Sequence, residues 1–200
     1  MHVVLASASA YRQSLLKQIH LPFEVQVAQV DEAPLKKLGF PPQIVAEKLA
    51  ALKGETVQKL RPEALIIASD QVAHLNGQIL SKPGTSTRAV EILMQMQGQT
   101  HELITALWMY HPKLGVKTAT VIARLKFRQL SQKEIETYVD LDQPLDCAGA
   151  YKWEKAGVSL IEKMDCSDTS SIVGLPLIAL TQILREWQLP LPFAWKGREP

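Results

Sequence analysis

Residues 64–83 read Ala64-Leu65-Ile66-Ile67-Ala68-Ser69-Asp70-Gln71-Val72-Ala73-His74-Leu75-Asn76-Gly77-Gln78-Ile79-Leu80-Ser81-Lys82-Pro83. The run Ala64–Ala68 is continuously apolar and short, the signature of a strand covered on both faces. It ends in the polar triplet Ser69-Asp70-Gln71, and Val72–Leu75 continue it towards Asn76-Gly77. That dipeptide is a strong signal for a type I′ turn, because both central residues must take positive φ. Gln78–Leu80 then returns antiparallel and delivers Ser81-Lys82-Pro83. A buried strand that feeds a tight hairpin makes the sheet mixed, not purely parallel.

Outward from this stretch, the pattern alternates between helix and strand. His2–Ala6 is a buried strand that breaks into Ser7-Ala8-Ser9-Ala10, after which Tyr11–His20 has helical spacing. Phe23–Val27 alternates with period two and predicts a half-buried strand. Pro41-Pro42 opens a helix to about Lys59. Downstream, Thr85 or Ser86 caps a helix to Gln97, closed by Gly98. Thr100–Tyr110 and Val116–Arg128 are long strands, and Ser131 with Glu134 forms a capping box for a helix to Asp140. Gly157–Lys163 reads as a last strand, Leu177–Trp187 as a last helix, and the tail from Leu189 as irregular. The whole predicts one α/β domain over residues 1–200, a mixed β-sheet flanked by helices.

Composition narrows the function. The 200 residues include 22 Lys+Arg against 20 Asp+Glu, a formal charge of +2, which excludes a broadly cationic nucleic-acid surface. Aromatics at 6% do not provide a stacking platform for single strands. Cys147 and Cys166 fit neither a disulfide framework nor a zinc pattern, and the five histidines form no ligand pair. No stretch reaches the ~20 apolar residues of a membrane span. The start MHVVLASASA lacks the basic region of a signal peptide. The expectation is a cytoplasmic protein with no membrane and no nucleic-acid polymer as partner.

Three places could carry chemistry. Ser7 and Ser9 at the head of a helix, with Arg12 in its first turn, could cradle a phosphate; Ser9 could equally be an ordinary N-cap. Asp70 stands at the edge of a buried strand, where open α/β sheets place ligand sites, or is a turn residue. Lys82, folded back by the Asn-Gly turn, could bring an ammonium to the same edge. The absence of Gly-x4-Gly-Lys-Ser/Thr and Gly-x-Ser-x-Gly excludes a P-loop and an α/β-hydrolase elbow.

In order along the chain, Leu5-Ala6-Ser7-Ala8-Ser9 with Arg12, Val30-Asp31-Glu32, Ala50–Lys53, Ser69-Asp70-Gln71-Val72, Ser81-Lys82-Pro83, Gly98 with His101, Ala148-Gly149-Ala150-Tyr151 and Val173-Gly174-Leu175-Pro176-Leu177 resemble the successive blocks of the Maf family. The resemblance covers nearly the whole chain. It implies an elongated mixed sheet of the Maf/inosine triphosphatase-like kind and a nucleoside triphosphate pyrophosphatase that needs a divalent metal, Mg2+ or Mn2+. Ser69-Asp70-Gln71-Val72, Cys147-Ala148-Gly149 and Gly174–Leu180 look most like the branch that hydrolyses 7-methyl-GTP in a house-cleaning role. The sister branch, which prefers dTTP and UTP, typically has Ala-Asp-Thr in place of Ser69-Asp70-Gln71. A non-catalytic nucleotide-binding regulator of septum formation is the rival from another class. A homodimer is compatible with the resemblance.

By the same resemblance Asp70 accepts the proton, and Tyr11, Gln71 and Glu154 occupy specificity positions. Ser7, Ser9, Arg12, Lys53 and Lys82 are the expected substrate contacts, and Asp70 with Glu32 (or Asp31) the metal carboxylates. An ordinary aspartate is a poor base for bulk water, so a metal that lowers the water's pKa is part of the expectation. Methylated guanine is cationic and would favour an aromatic face at Tyr11 and a carboxylate at Glu154. Three positions depart from the family pattern: Ala10 replaces proline, Tyr11 a frequent tryptophan, and Ser170 a frequent asparagine.

Overall fold

The computed structural model describes residues 1–195, the side chains of Lys36 and Lys37 excepted. Its strands are β1 (Val3–Leu5), β2 (Glu24–Val25), β3 (Leu65–Leu75), β4 (Gln78–Leu80), β5 (Thr100–His111), β6 (Gly115–Phe127) and β7 (Ile161–Asp165). Its α-helices are α1 (Ala10–Gln18), α2 (Ala33–Lys37), α3 (Pro42–Leu60), α4 (Ser86–Met96), α5 (Gln132–Asp142) and α6 (Leu177–Glu186). The strands form one seven-stranded sheet in the order β2-β1-β3-β5-β6-β7, with β4 on β3. β1 pairs parallel with β2 and β3, whereas β3–β4 and β6–β7 are antiparallel, so the α/β fold has the expected mixed sheet.

β3 is one uninterrupted strand, and Leu65–Asp70 are all buried, which accounts for its apolar run. The hairpin forms where Asn76-Gly77 predicts it: φ is 51° at Asn76 and 82° at Gly77. Three helix starts, those of α1, α4 and α5, carry side-chain caps. Ser9, Thr85 and Ser131 each accept from a backbone N–H of the following turn, and Ser131 with Glu134 closes a full capping box.

Three expectations need correction. Phe23–Val27 yields only a two-residue strand, both residues exposed, because it lies at the sheet edge against the short β1. Gly157–Leu160 lies in a 3-10 turn and the strand runs from Ile161 to Asp165; the Ser159 hydroxyl donates to the Ala156 carbonyl at 2.6 Å and satisfies the turn locally. The tail carries a 3-10 turn at Pro192–Ala194, while residues 196–200, with Pro200, lie outside the described residues. Helix α2 is an addition; Asp31 accepts from Ala33 N at 3.0 Å and Pro34 lies in the first turn.

The chain divides into two compact units, and β3, β5 and β6 each contribute residues to both. The first comprises 1–71, 105–121 and, of the described residues, 168–195. Its core gathers Leu5, Leu16, Leu65, Ile67, Met109 and Leu184 among others. Each such side chain contributes about 1.5–3 kcal/mol by leaving water. The second comprises 72–104 and 122–167, in which α4 packs against α5. There the rings of His101, Phe127 and Tyr151 meet edge to face, with centroids 5.1–5.4 Å apart. Both cysteines are free thiols.

Candidate active site

Alternation along β3 sends Ser69 and Gln71 to one side of the strand and Asp70 to the other. On the Asp70 side lies α3. The Lys53 ammonium is 2.5 Å from the Asp70 carboxylate and 2.7 Å from that of Glu32, which precedes α2. One cation thus bridges two acids, and both Lys53 and Asp70 are largely withdrawn from water. Glycine at 54 lets α3 seat against β5, the neighbour of β3 in the sheet: a Cβ there would lie 2.1 Å from the Trp108 ring.

On the opposite side of β3, Ser69 and Gln71 grip a returning segment. The Ser69 hydroxyl is within donating distance of the Ala106 carbonyl (2.8 Å) and the Gly174 carbonyl (2.9 Å). Gln71 Nε2 donates to Ser171 O at 2.7 Å, Ile172 O at 3.1 Å and Thr105 Oγ1 at 3.0 Å. The motif therefore divides its labour, with outer residues that anchor backbone and a central carboxylate that meets a cation.

Arg12 lies in the first turn of α1. Its Nε donates to Gly174 O at 2.7 Å and its Nη1 to Ser7 Oγ at 3.2 Å. Burial lowers the guanidinium's pKa from its ordinary value, while Asp70 and Glu32 draw it back up, so it stays a cation and senses both acids. Gly174 has φ +107°, a conformation that L side chains rarely adopt, and a Cβ there would meet Arg12 Nε at 3.4 Å. Ser9 takes the capping role, accepting from Arg12 N at 3.5 Å, and Ser7 braces the guanidinium from behind.

Arg12, Lys53, Asp70 and Glu32 are thus assembled in the first unit, together with Ser7, Ser9 and Gln71. Tyr11 follows Ala10 at the start of α1 and is half-buried. Asp31 is exposed and its carboxylate accepts from Ala33 N, leaving Glu32 as the acid at Lys53. Lys82 and Glu154 belong to the second unit and are exposed. The donors that could hold a divalent cation are Asp70 and Glu32, a hard oxygen pair that suits Mg2+ or Mn2+. Among the described residues no three His, Cys, Asp or Glu side chains gather as a metal cluster, so such an ion would complete its shell with phosphate oxygens and water. The two acids and two cations cancel, so a polyanionic ligand calls for added positive charge.

The family model described as Maf-like protein matches residues 2–187. The chain belongs to the Maf family. A protein of Aromatoleum aromaticum named 7-methyl-GTP pyrophosphatase is 46% identical over 191 residues, 95% of this chain and 97% of that one. A Polaromonas protein of the same name is 44% identical over 199 residues, 99% of this chain and 90% of its own length. The Ham1 protein of Staphylococcus aureus superposes with a TM-score of 0.53 at 16% identity, covering 94% of this chain and 100% of that one, which shows a shared fold.

Within this Maf chain, the residues that sequence reasoning did not single out are those behind the charges. Thr105 and Ser171 accept from Gln71, Gly174 accepts from Arg12, and Ser69 donates to that same Gly174 carbonyl. Ser69 and Gly174 did stand in quoted motifs, but their partners are remote in sequence. Arg12 and Gly174 are 162 positions apart, and Gln71 and Ser171 are 100 apart.

Proposed function

We propose that the protein is a nucleoside triphosphate pyrophosphatase that acts on 7-methyl-GTP, releasing 7-methyl-GMP and pyrophosphate. The observation that carries this reading is the shared ammonium: Lys53 bridges Asp70 and Glu32, with the Arg12 guanidinium held nearby. Arg12 keeps Nη2 for a phosphate oxygen while its other nitrogens are anchored, and Lys53 can turn to phosphate as a mobile point charge. Ser7 and Ser9 form the head of α1, whose first N–H groups favour anions. The names of the Aromatoleum and Polaromonas relatives supply the substrate.

In the proposed reaction water attacks the α-phosphorus, the bond from that phosphorus to the α–β bridging oxygen breaks, and pyrophosphate leaves. Asp70 orients the water and takes its proton. Asp70 and Glu32 would hold a divalent cation, which would supply charge neutralisation and a lowered water pKa. Tyr11 offers a face to the cationic base, Glu154 accepts its N–H hydrogens, and Gln71 reads a polar edge. Lys82 is proposed as a further phosphate contact on the likeness of Ser81-Lys82-Pro83 to the family's block.

Pyrophosphate release measured across a panel of 7-methyl-GTP, GTP, dTTP and UTP with Mg2+ tests the reading. Selective turnover of 7-methyl-GTP supports it. Preference for dTTP or UTP assigns the chain to the sister branch, and binding without turnover assigns it to the regulators. Asp70→Asn should abolish turnover and leave nucleotide binding intact.

A further inference from the structure

Arg12 and Gln71 stand on different elements, yet both are held by one short stretch of chain. Ser171, Ile172 and Gly174 present their carbonyls to these two side chains. The stretch is closed on itself by Asp168. Its Oδ1 accepts from Ser170 N at 3.1 Å and Ser170 Oγ at 2.5 Å, and its Oδ2 from Ile178 N at 2.7 Å in the first turn of α6. Ser170 Oγ in turn accepts from Leu177 N at 2.8 Å, and the Asp168 carbonyl accepts from Ser171 N at 3.0 Å. Asp168 is only 4% exposed. A buried carboxylate is costly unless donors surround it, and here the donors belong to both ends of residues 168–178.

We propose that Asp168 is a positioning residue: through Ser170 and the α6 N-terminus it buckles residues 168–178 so that one segment aims both the Arg12 guanidinium and the Gln71 amide. The Gln71 orientation follows without ambiguity. Ser171 O and Ile172 O can only accept, so the amide nitrogen must face them. Its oxygen is then turned the other way, as a fixed acceptor. Arg12 is aimed in the same manner, since Nε is committed to Gly174 O and the guanidinium plane follows. The buckle thereby couples phosphate binding to base reading, a role that rests on the pyrophosphatase reading above. The serine at 170 serves here as both donor and acceptor.

The test is a set of thermodynamic cycles read by steady-state kinetics on 7-methyl-GTP and GTP with Mg2+. Asp168→Asn, which cannot accept from both Ser170 and Ile178, should raise KM for 7-methyl-GTP about tenfold and shrink its preference over GTP. In an Arg12→Ala background the same substitution should change KM by less than about twofold, and in a Gln71→Ala background it should leave the remaining preference unmoved. Full multiplication of the effects in both backgrounds would overturn the proposal, because a residue that only stabilises the fold acts independently of Arg12 and Gln71. Should Asp168→Asn not fold, Ser170→Ala makes the same cut more gently, and Ser170→Thr should restore the parent values.

One readout is independent of catalysis. The Arg12 Nε–H resonance, assigned by its loss in Arg12→Lys, should be protected from solvent exchange in the parent and exposed in Ser170→Ala. A parent protein without pyrophosphatase activity would end the functional reading and leave this measurement to decide the buckle. An Nε–H equally protected in parent and variant would overturn the buckle and leave the activity standing.

Discussion

The ammonium of Lys53 lies 2.5 Å from the carboxylate of Asp70, and the two side chains are only 13% and 9% exposed. Glu32 shares that ammonium at 2.7 Å. Removal of Lys53 leaves two acids with no cation between them, in a place where water screens them poorly. Lys53→Met should therefore destabilise the protein by about 3 kcal/mol, the range for one partner of a buried ion pair, and abolish turnover. Adding Asp70→Leu should recover much of the stability and none of the activity. Urea unfolding of the three proteins checks this; a single-variant loss below about 0.5 kcal/mol would place the pair among ordinary surface bridges.

Stability should also respond to pH through His101. This ring is 1% exposed, with Nε2 bonded to the Tyr151 hydroxyl at 2.9 Å, and burial pushes its pKa down from 6.5 to about 4. Between those values the unfolded chain binds a proton that the folded ring does not. Stability is therefore full above about pH 6.5, falls as pH drops towards about 4, and loses about 3 kcal/mol over that window. Burial lowers His111 as well, so some slope should survive without His101. His101→Phe should cost about 1 kcal/mol near neutrality, from the lost bond to Tyr151, and flatten most of the acid slope. Unfolding free energies at several pH values from about 7 to 4.5 decide it; an unchanged slope would clear His101.

Much of this was legible in the sequence because its signals are local. Ser131 and Glu134 sit three residues apart and satisfy each other, and Asn76-Gly77 sets its own turn. α2 was legible in principle, since Asp31 and Pro34 mark a helix start, but five residues show no periodicity to extend it. The charged residues at Arg12, Lys53, Asp70 and Glu32 could be named from their types and order. Their pairing could not, because it depends on how closely α3 approaches β3. Least legible was the segment behind Arg12 and Gln71, where backbone carbonyls of residues 171–174 do the holding and no side-chain type records it. Ser7 and Ser9 show a related limit: Ser9 reads as a helix cap from its position alone, whereas the bond from the Arg12 guanidinium to Ser7 needs the fold.

Glu154 should act on selectivity more than on rate. A carboxylate accepts the N–H hydrogens of a cationic base better than a neutral amide does, by about 1–2 kcal/mol. Glu154→Gln should then narrow the preference for 7-methyl-GTP over GTP by about tenfold at nearly unchanged kcat. Tyr11→Leu should narrow it too, by the cation–π contribution of about 0.5–2 kcal/mol. Competition assays with both triphosphates present give the ratio directly. Equal discrimination by Glu154→Gln and the parent would remove the residue from base recognition.

The seat of α3 on the sheet can be tested where the helix meets β5. Gly54 is buried against Trp108, and a Cβ at 54 would lie 2.1 Å from Cε3 and 2.5 Å from Cζ3 of the indole. The ring has little freedom to yield: it is 4% exposed and stacks on Tyr110 at 6.3 Å, and the Tyr110 hydroxyl donates to Pro62 O at 3.2 Å. In an open helix, glycine to alanine would gain up to about 1 kcal/mol. Overpacking costs about 1–3 kcal/mol or more, and a contact this short puts the site at the upper end. Gly54→Ala should lose about 2 kcal/mol net, and because Lys53 is the adjacent residue, turnover should fall with it. Trp108→Leu in the Gly54→Ala background should regain part of that turnover by letting the helix settle, even though it removes ring surface from the core. Thermal unfolding and pyrophosphate release on the two variants separate the effects, and a Gly54→Ala protein as stable and active as the parent would show that glycine is not what lets Lys53 reach Asp70.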